Sequence, residues 1–195
     1  MTLQLGTSYL PGRVYFRTLL AAEEVMLCGG NPWQKQTLRN RTFILSPNGV
    51  QRLIIPVHHS GGETITDAQV KIDYSLPWIR EHIGAFEAAY NTSPFFEFFR
   101  DDLFAIIHSK PENLFDLNHH ILQLLLKKAK TPTKLLLEKD HVADIQELAN
   151  IQRKQNPEDN SLPSYPQVFA YKFGFVPGLS VLDELANTGR IVSIH

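Results

Sequence analysis

The sequence has few of the features that define some protein classes. One cysteine, Cys28, in 195 residues excludes an internal disulfide and a zinc site built from cysteines. No run approaches the ~18 consecutive apolar residues of a transmembrane helix. The first residues also lack the basic and apolar regions of a secretory signal. These absences predict a cytoplasmic protein with no membrane span.

Net charge and signature motifs are also scarce. The formal charge is −1, so no basic field covers the surface, and nucleic acid is not an expected partner. There is no Walker A motif, no GxGxxG after a strand, no GxSxG elbow, no EF-hand loop and no hexapeptide repeat. On these grounds we expect neither a resident cofactor nor a metal.

The patterns that are present predict an α/β fold in a single compact domain over residues 1–195, with a mixed β-sheet, a hairpin and a central group of helices. Residues 3–10 and the apolar run 25–28, closed by Gly29-Gly30, flank a short helical segment, which predicts a β-α-β unit with parallel strands. Asn48-Gly49 lies between two strand-like runs and predicts a β-hairpin.

The remaining segments are assigned by periodicity and capping signals. We expect the following elements: strands at 42–45, 52–57, 70–74 and 134–137, the last of them buried; helices at 78–90, from Ser93-Pro94 to 107, from the Ser109–Glu112 capping box to 128, and at 141–153; and a last helix from Ser180, with Asp183 at capping-box spacing, to Gly189.

A basic segment after the second predicted strand is the main candidate site. It runs from Trp33 to Arg41 and leaves the carboxyl end of that strand, where open α/β sheets usually bind ligands. Lys35, Arg39 and Arg41 are suited to phosphate or carboxylate groups, and Asn40 to orienting a polar group. The alternative is a solvated loop anchored by Trp33.

The histidines and Cys28 are weaker candidates. His58-His59 and His119-His120 are doublets whose rings point in different directions, and neither has the spacing of zinc enzymes. His58 is the better acid-base candidate because the adjacent Gly-rich loop is open. We expect His82 to lie in the core and Cys28 to be a buried, inert thiol.

Taken in order, these residues resemble the WbqC-like family over most of the chain, more weakly in 60–75 and 130–155. The resemblance is carried by Tyr9-Leu10-Pro11, Tyr15-Phe16, Trp33-Gln34-Lys35, Arg39-Asn40-Arg41, Asn48-Gly49, residues 53–57, Trp78, Tyr90, Pro94-Phe95, Leu117-Asn118, Tyr165, Gln167, Phe169, Gly174-Phe175, Pro177, Leu179-Ser180 and Leu182-Asp183.

This resemblance implies a bacterial cytoplasmic protein encoded among surface-polysaccharide genes, such as those for O-antigen. Gene neighbourhood supplies a context and no mechanism. One departure stands out: relatives tend to carry an acidic residue near the end of the second strand, where this chain has Cys28 and Gly29-Gly30. If that carboxylate is a base or a metal ligand, its loss puts activity in doubt.

Our leading hypothesis is a transferase acting on an amino-sugar or nucleotide-sugar intermediate of surface-polysaccharide synthesis. In it, Lys35, Arg39 and Arg41 hold donor phosphates or an acceptor carboxylate. Asn40 orients the reacting group, His58 is the general base, and Tyr9 and Trp33 are stacking platforms. The alternatives are a non-catalytic binding or scaffolding protein for polysaccharide-biosynthetic enzymes, and a metal-dependent hydrolase built around the histidines.

Overall fold

Three parallel strands form the first sheet. A computed structural model describes residues 2–58, 64–143 and 162–191. In it, β2 (Glu24–Cys28) lies between β1 (Leu3–Leu5) and β5 (Lys134–Glu138), and both pairings are parallel. α1 (Arg13–Leu20) connects β1 to β2, which confirms the predicted β-α-β unit.

β1 and β5 each differ from the prediction. β1 ends at Leu5 and not at residue 10, because the backbone then pairs elsewhere: the Tyr9 amide donates to the Leu38 carbonyl at 3.0 Å. β5 was predicted as a buried strand, but it is only half-buried, because it forms an edge of the described sheet.

The Asn-Gly signal predicted the hairpin correctly. β3 (Arg41–Ser46) and β4 (Gly49–Ile54) are antiparallel, with Arg41 opposite Ile54 and Ser46 opposite Gly49. Gly49 has φ +108°, a backbone conformation that favours glycine. Parallel and antiparallel pairing are therefore both present, as expected for this α/β fold, but they are divided between two sheets.

The described helices pack around these sheets. They are a 3₁₀ turn (Asp67–Gln69), α2 (Trp78–Tyr90), α3 (Glu97–His108), α4 (Leu114–Ala129), α5 (Ala170–Phe173) and α6 (Val181–Thr188). α2 packs on β3, α3 on α4, and α4 on the 3₁₀ turn. One hydrophobic cluster contains side chains from all three described segments, among them Leu5, Phe86 and Leu182. None of the helices in the described parts of the chain is long and apolar enough to cross a membrane.

Two helix starts differ from the prediction. Ser93 does not cap α3: its amide donates to the Tyr90 carbonyl at 2.8 Å and so extends the end of α2, and α3 begins at Glu97. Ser109 does not open α4 either, since its hydroxyl donates to the Ile106 carbonyl in the last turn of α3. Capping signals depend on where the preceding helix ends, which local spacing does not reveal.

The segment 70–74 fixes the start of α4 without being a strand. It makes isolated bridges only, Val57 with Ile72 and Lys71 with Asn113. The Leu114 amide at the start of α4 donates to the Val70 carbonyl at 2.9 Å, which satisfies a helix-terminal donor.

The C-terminal expectations were met in part. The predicted helix at 141–153 falls mostly outside the described residues, and 141–143 are not helical. α6 does follow Ser180, whose hydroxyl accepts from the Leu182 amide at 3.1 Å, and it ends at Gly189. Asp183 does not complete a capping box there, because its carboxylate faces Tyr165.

Candidate functional site

The carboxyl ends of β1 and β2 lie side by side because the two strands are parallel. The chain returns to this edge at the 3₁₀ turn: the Asp67 amide donates to the Asn31 carbonyl at 2.9 Å, and the Ala68 amide donates to the Gly29 carbonyl at 3.0 Å. The turn is therefore anchored where β2 ends, at the sheet edge that binds ligands in open α/β folds.

Arg39 and Asp67 form a buried ion pair at this edge. Nε of Arg39 lies 2.7 Å from Oδ2 of Asp67, and the two side chains are 5% and 1% exposed. Burial raises the pKa of Asp67 to about 7, although the neighbouring Arg39 guanidinium opposes that rise. A carboxyl group with a pKa close to neutrality can both take up and release a proton under physiological conditions.

Two buried amides flank this pair. Nδ2 of Asn118, on α4, donates to the Arg39 carbonyl at 2.8 Å and to Thr7 Oγ1 at 3.2 Å, and Nδ2 of Asn40 donates to the Ile55 carbonyl at 2.9 Å. Backbone carbonyls accept only, so these contacts fix the orientation of each amide. We call Arg39, Asn40, Asp67, Asn118 and the adjoining Asn31 the Arg39 centre; each is at most 7% exposed.

Several polar atoms of the Arg39 centre have no hydrogen-bond partner among the described residues. Apart from Nε of Arg39 and Oδ2 of Asp67, which face each other in the ion pair, they are the acceptors Oδ1 of Asn40, Asp67 and Asn118, and the donor Nδ2 of Asn31. Because buried polar atoms are nearly always hydrogen-bonded in folded proteins, a group of them in one place is typical of a binding site.

Of the predicted site residues, Arg39 and Asn40 belong to this centre, whereas Tyr9 and Trp33 lie beside it in other roles. Tyr9 is completely buried, and its hydroxyl is 2.9 Å from Nδ1 of His82. Trp33 is half-buried against the core, and its amide donates to the Ile65 carbonyl. Tyr9 therefore has no exposed ring face on which a ligand could stack.

His82 lies in the core, as expected. Its Nε2 is 3.2 Å from the Ile54 carbonyl, and burial lowers the pKa of the imidazole to about 4. The Ile54 carbonyl requires a donor, so Nε2 carries the proton, and Nδ1 accepts from the Tyr9 hydroxyl.

Lys35, Arg41 and His58 are not brought to the Arg39 centre by any hydrogen bond or ion pair among the described residues. Lys35 is exposed. Arg41 is half-buried on β3, where burial and the charge of Arg52 lower its pKa. The side chain of His58 is 62% exposed, with Nε2 3.8 Å from Oδ1 of Asp73.

Asn31, Asp67 and Asn118 are the members that sequence reasoning missed as site residues. The sequence did contain a pattern that could have identified Asn118. It lies four residues after Leu114 on the apolar stripe of α4, and a polar side chain on a buried helix face is unusual. Asp67 sits in a turn, where aspartate is common, so its type and position carried no comparable signal.

The other candidates are more isolated. Cys28 is buried, and burial raises the pKa of its thiol, as expected for an inert cysteine. The rings of His119 and His120 lie 5.6 Å apart. In the part of the chain that the structure describes, no three His, Cys, Asp or Glu side chains are placed to hold one metal ion.

A second buried polar cluster joins the C-terminal segment to α6. Oδ2 of Asp183 accepts from the Tyr165 hydroxyl at 2.8 Å and from Nε2 of Gln167 at 3.3 Å. Burial raises the pKa of Asp183 to about 6. Nearby, Nε of Arg13 donates to Glu184 at 2.7 Å. These contacts explain why polar residues near the C-terminus are buried, and they fasten the segment to α6 and α6 to α1.

Comparisons with known proteins agree with the sequence resemblance. No solved structure matches the chain. It is 26% identical over 215 aligned residues to uncharacterized protein Rv1507c of Mycobacterium tuberculosis, covering 94% of this chain and 91% of that protein. The model of the WbqC-like protein family matches residues 7–158, a range that includes every member of the Arg39 centre. The chain therefore belongs to the WbqC-like protein family.

Proposed function

We propose that this protein is a transferase acting on an amino-sugar or nucleotide-sugar intermediate of bacterial surface-polysaccharide synthesis. The observation that carries the proposal is the Arg39–Asp67 pair, buried at the carboxyl edge of a parallel sheet with unpaired polar atoms around it. The polysaccharide context comes from what the WbqC-like resemblance implies.

Asp67 is the proposed general base. Its pKa of about 7 suits proton transfer near neutral pH, whereas His58 is exposed and contacts a different carboxylate. Relatives tend to carry an acidic residue near the end of the second strand, where this chain has Cys28. Asp67 offers a carboxyl group beside the end of β2 from another part of the chain. Arg39 holds Asp67 in position, and Asn40 orients the reacting group. Lys35 and Arg41 remain the proposed contacts of donor phosphates.

Calorimetric titration of nucleotide sugars into wild type and Arg39→Met tests this placement. We expect wild type to bind at least one of these compounds and Arg39→Met to bind it at least tenfold more weakly, because the variant loses the group that positions Asp67. Arg80→Met is the matched control, since Arg80 is exposed on α2. If wild type binds none of them, or if Arg39→Met binds as tightly as the control, the site is misplaced.

A non-catalytic scaffold for polysaccharide-biosynthetic enzymes is the second candidate. Two observations favour it: the deep burial of Arg39 and Asp67, and exposed aromatic side chains, among them Tyr171 at 84%. A scaffold should recover such enzymes in a pull-down, lose them in Tyr171→Ser, and gain no thermal stability from nucleotide sugars. Stabilisation by a nucleotide sugar with no enzyme recovered would remove this candidate.

A further inference from the structure

The unpaired polar atoms of the Arg39 centre include more hydrogen-bond acceptors than donors. Outside the Arg39–Asp67 ion pair, three are acceptors, Oδ1 of Asn40, Asp67 and Asn118, and one is a donor, Nδ2 of Asn31. The two amide acceptors are not interchangeable with donors, because Nδ2 of each asparagine faces a backbone carbonyl at 2.8–2.9 Å. The centre therefore presents an excess of acceptors whose orientation the main chain fixes.

These acceptors are grouped about the main chain and side chain of one dipeptide, Arg39-Asn40. Asn118 contacts the Arg39 carbonyl, and Asp67 contacts the Arg39 guanidinium. The Asn40 carbonyl in turn accepts from the Ile55 amide at 2.8 Å, which ties the dipeptide to the end of the hairpin. Three separate elements, α4, the 3₁₀ turn and the hairpin, thus hold the acceptors in a fixed arrangement.

The arrangement discriminates among the functional groups of a nucleotide sugar. Phosphate and carboxylate groups carry acceptors only, so they would place oxygen against oxygen, and the Arg39 charge is already neutralised by Asp67. A hydroxyl brings one donor. A primary amino group brings at least two, so it can satisfy two of these acceptors at once.

We infer that the Arg39 centre binds the primary amino group of its substrate, with Oδ1 of Asp67 and Oδ1 of Asn118 as acceptors. The inference rests on the proposed function and deepens it, by making an amine the group that the site recognises. The Asn31 amide donor then faces the amine nitrogen or a neighbouring sugar oxygen. Asp67 is also a proton acceptor within the centre for the ammonium ion of free substrate, as its pKa of about 7 permits.

Three probes that differ at one sugar position test the inference: UDP-glucosamine, UDP-N-acetylglucosamine and UDP-glucose. By calorimetry, UDP-glucosamine is expected to bind at least about tenfold more tightly than either of the others. Acylation removes a donor and adds bulk, and the hydroxyl leaves one acceptor unpaired, which is costly in a buried polar site.

Asp67→Asn supplies the decisive variant. Nε of Arg39 requires an oxygen, so the new amide turns its oxygen to Arg39 and places NH₂ where Oδ1 stood, which changes an acceptor into a donor. In this variant the affinity for UDP-glucosamine should lie within about twofold of the affinity for UDP-glucose. Asp183→Asn is the matched control: Asp183 is equally buried, but it lies on α6 and pairs with Tyr165 and Gln167, so this variant should keep the wild-type preference.

The outcomes separate the two proposals. If wild type binds all three probes with similar affinity, or if Asp67→Asn keeps the preference while circular dichroism shows it folded, the amine inference is wrong and the proposed function stands. If wild type binds none of the three, both are wrong. If both aspartate variants lose the preference equally, the effect is not local to the Arg39 centre and the inference fails.

Discussion

Removing Arg39 should change how the stability of this protein depends on pH. In wild type, burial raises the pKa of Asp67 to about 7, while an unfolded aspartate has an ordinary pKa of 3.8. Between these values the folded state binds more protons than the unfolded state, so the free energy of unfolding falls as pH rises. Above pH 7 the Asp67 contribution is exhausted, and the curve levels off.

In Arg39→Met the carboxyl group stays buried but loses its counter-charge, which lies 2.7 Å away in wild type. Loss of an adjacent opposite charge raises the pKa of an aspartate by roughly one to three units. The folded variant therefore keeps its proton above pH 7, where the unfolded chain has none. Its free energy of unfolding continues to fall by about 1.4 kcal/mol per pH unit until that higher pKa is reached.

Urea denaturation at pH 5, 6, 7, 8 and 9 measures the difference. Between pH 7 and pH 9 the free energy of unfolding of Arg39→Met should fall by about 1.4–3 kcal/mol more than that of wild type. Any constant cost of the substitution adds to this difference. Arg52→Met, which removes an exposed arginine, should follow the wild-type profile. Parallel profiles for Arg39→Met and wild type would refute the reasoning, because they would mean that Arg39 does not hold the Asp67 carboxylate in its charged form.

Two further predictions concern the regions that support the site. Burial raises the pKa of Asp183 to about 6, so wild type loses the corresponding stability as pH rises from about 4 to 6. Between pH 4 and pH 6 the free energy of unfolding of Asp183→Asn, measured by thermal unfolding, should therefore rise by about 2–3 kcal/mol relative to that of wild type. A difference between the two proteins that does not change with pH would contradict this. Gly30→Ala should lower the free energy of unfolding by about 1–3 kcal/mol, because the new Cβ would meet the backbone of Asp140. The control Gly84→Ala, in open space on α2, should raise it by up to about 1 kcal/mol, and similar urea midpoints for the two alanine variants would refute the steric argument.

The parts of the fold that the sequence predicted are those set by neighbouring residues. The hairpin follows from Asn48-Gly49, and α2 follows from the spacing of its apolar residues, and both were confirmed. The second hairpin strand was expected at 52–57 but runs over Gly49–Ile54, because its pairing with β3 begins directly at the turn. Interpretations that depended on a distant partner were less accurate. The start of α4 is fixed by the Val70 carbonyl, 44 positions before Leu114, and the local capping-box pattern at Ser109 gave the wrong start.

The candidate site shows the same division. The sequence pointed to this strand edge and to two residues of the Arg39 centre, Arg39 and Asn40, because a basic run after a buried strand is a local pattern. It gave no indication that Asp67 pairs with Arg39, since the two residues are 28 positions apart. Nor did it show that Asn118 reaches Thr7, 111 positions away. Such pairings are set by how α4 and the 3₁₀ turn pack on the sheet, and that packing is a property of the whole core.

The neutralised arginine changes what the basic segment can do. Sequence reasoning assigned three cations, Lys35, Arg39 and Arg41, to one anion, but Arg39 is already paired in a buried site, where breaking the pair would cost about 3–5 kcal/mol. In the proposed transferase, a donor phosphate would therefore gain nothing from Arg39 and would be held by charges nearer to solvent. Lys35 is exposed and only four residues from Arg39, so their Cα atoms are at most about 14 Å apart. The chain thus places an exposed cation close in sequence to an acceptor-rich buried centre. That combination suits a ligand with a phosphate at one end and a hydrogen-bond donor at the other, and it suits a simple polyanion poorly.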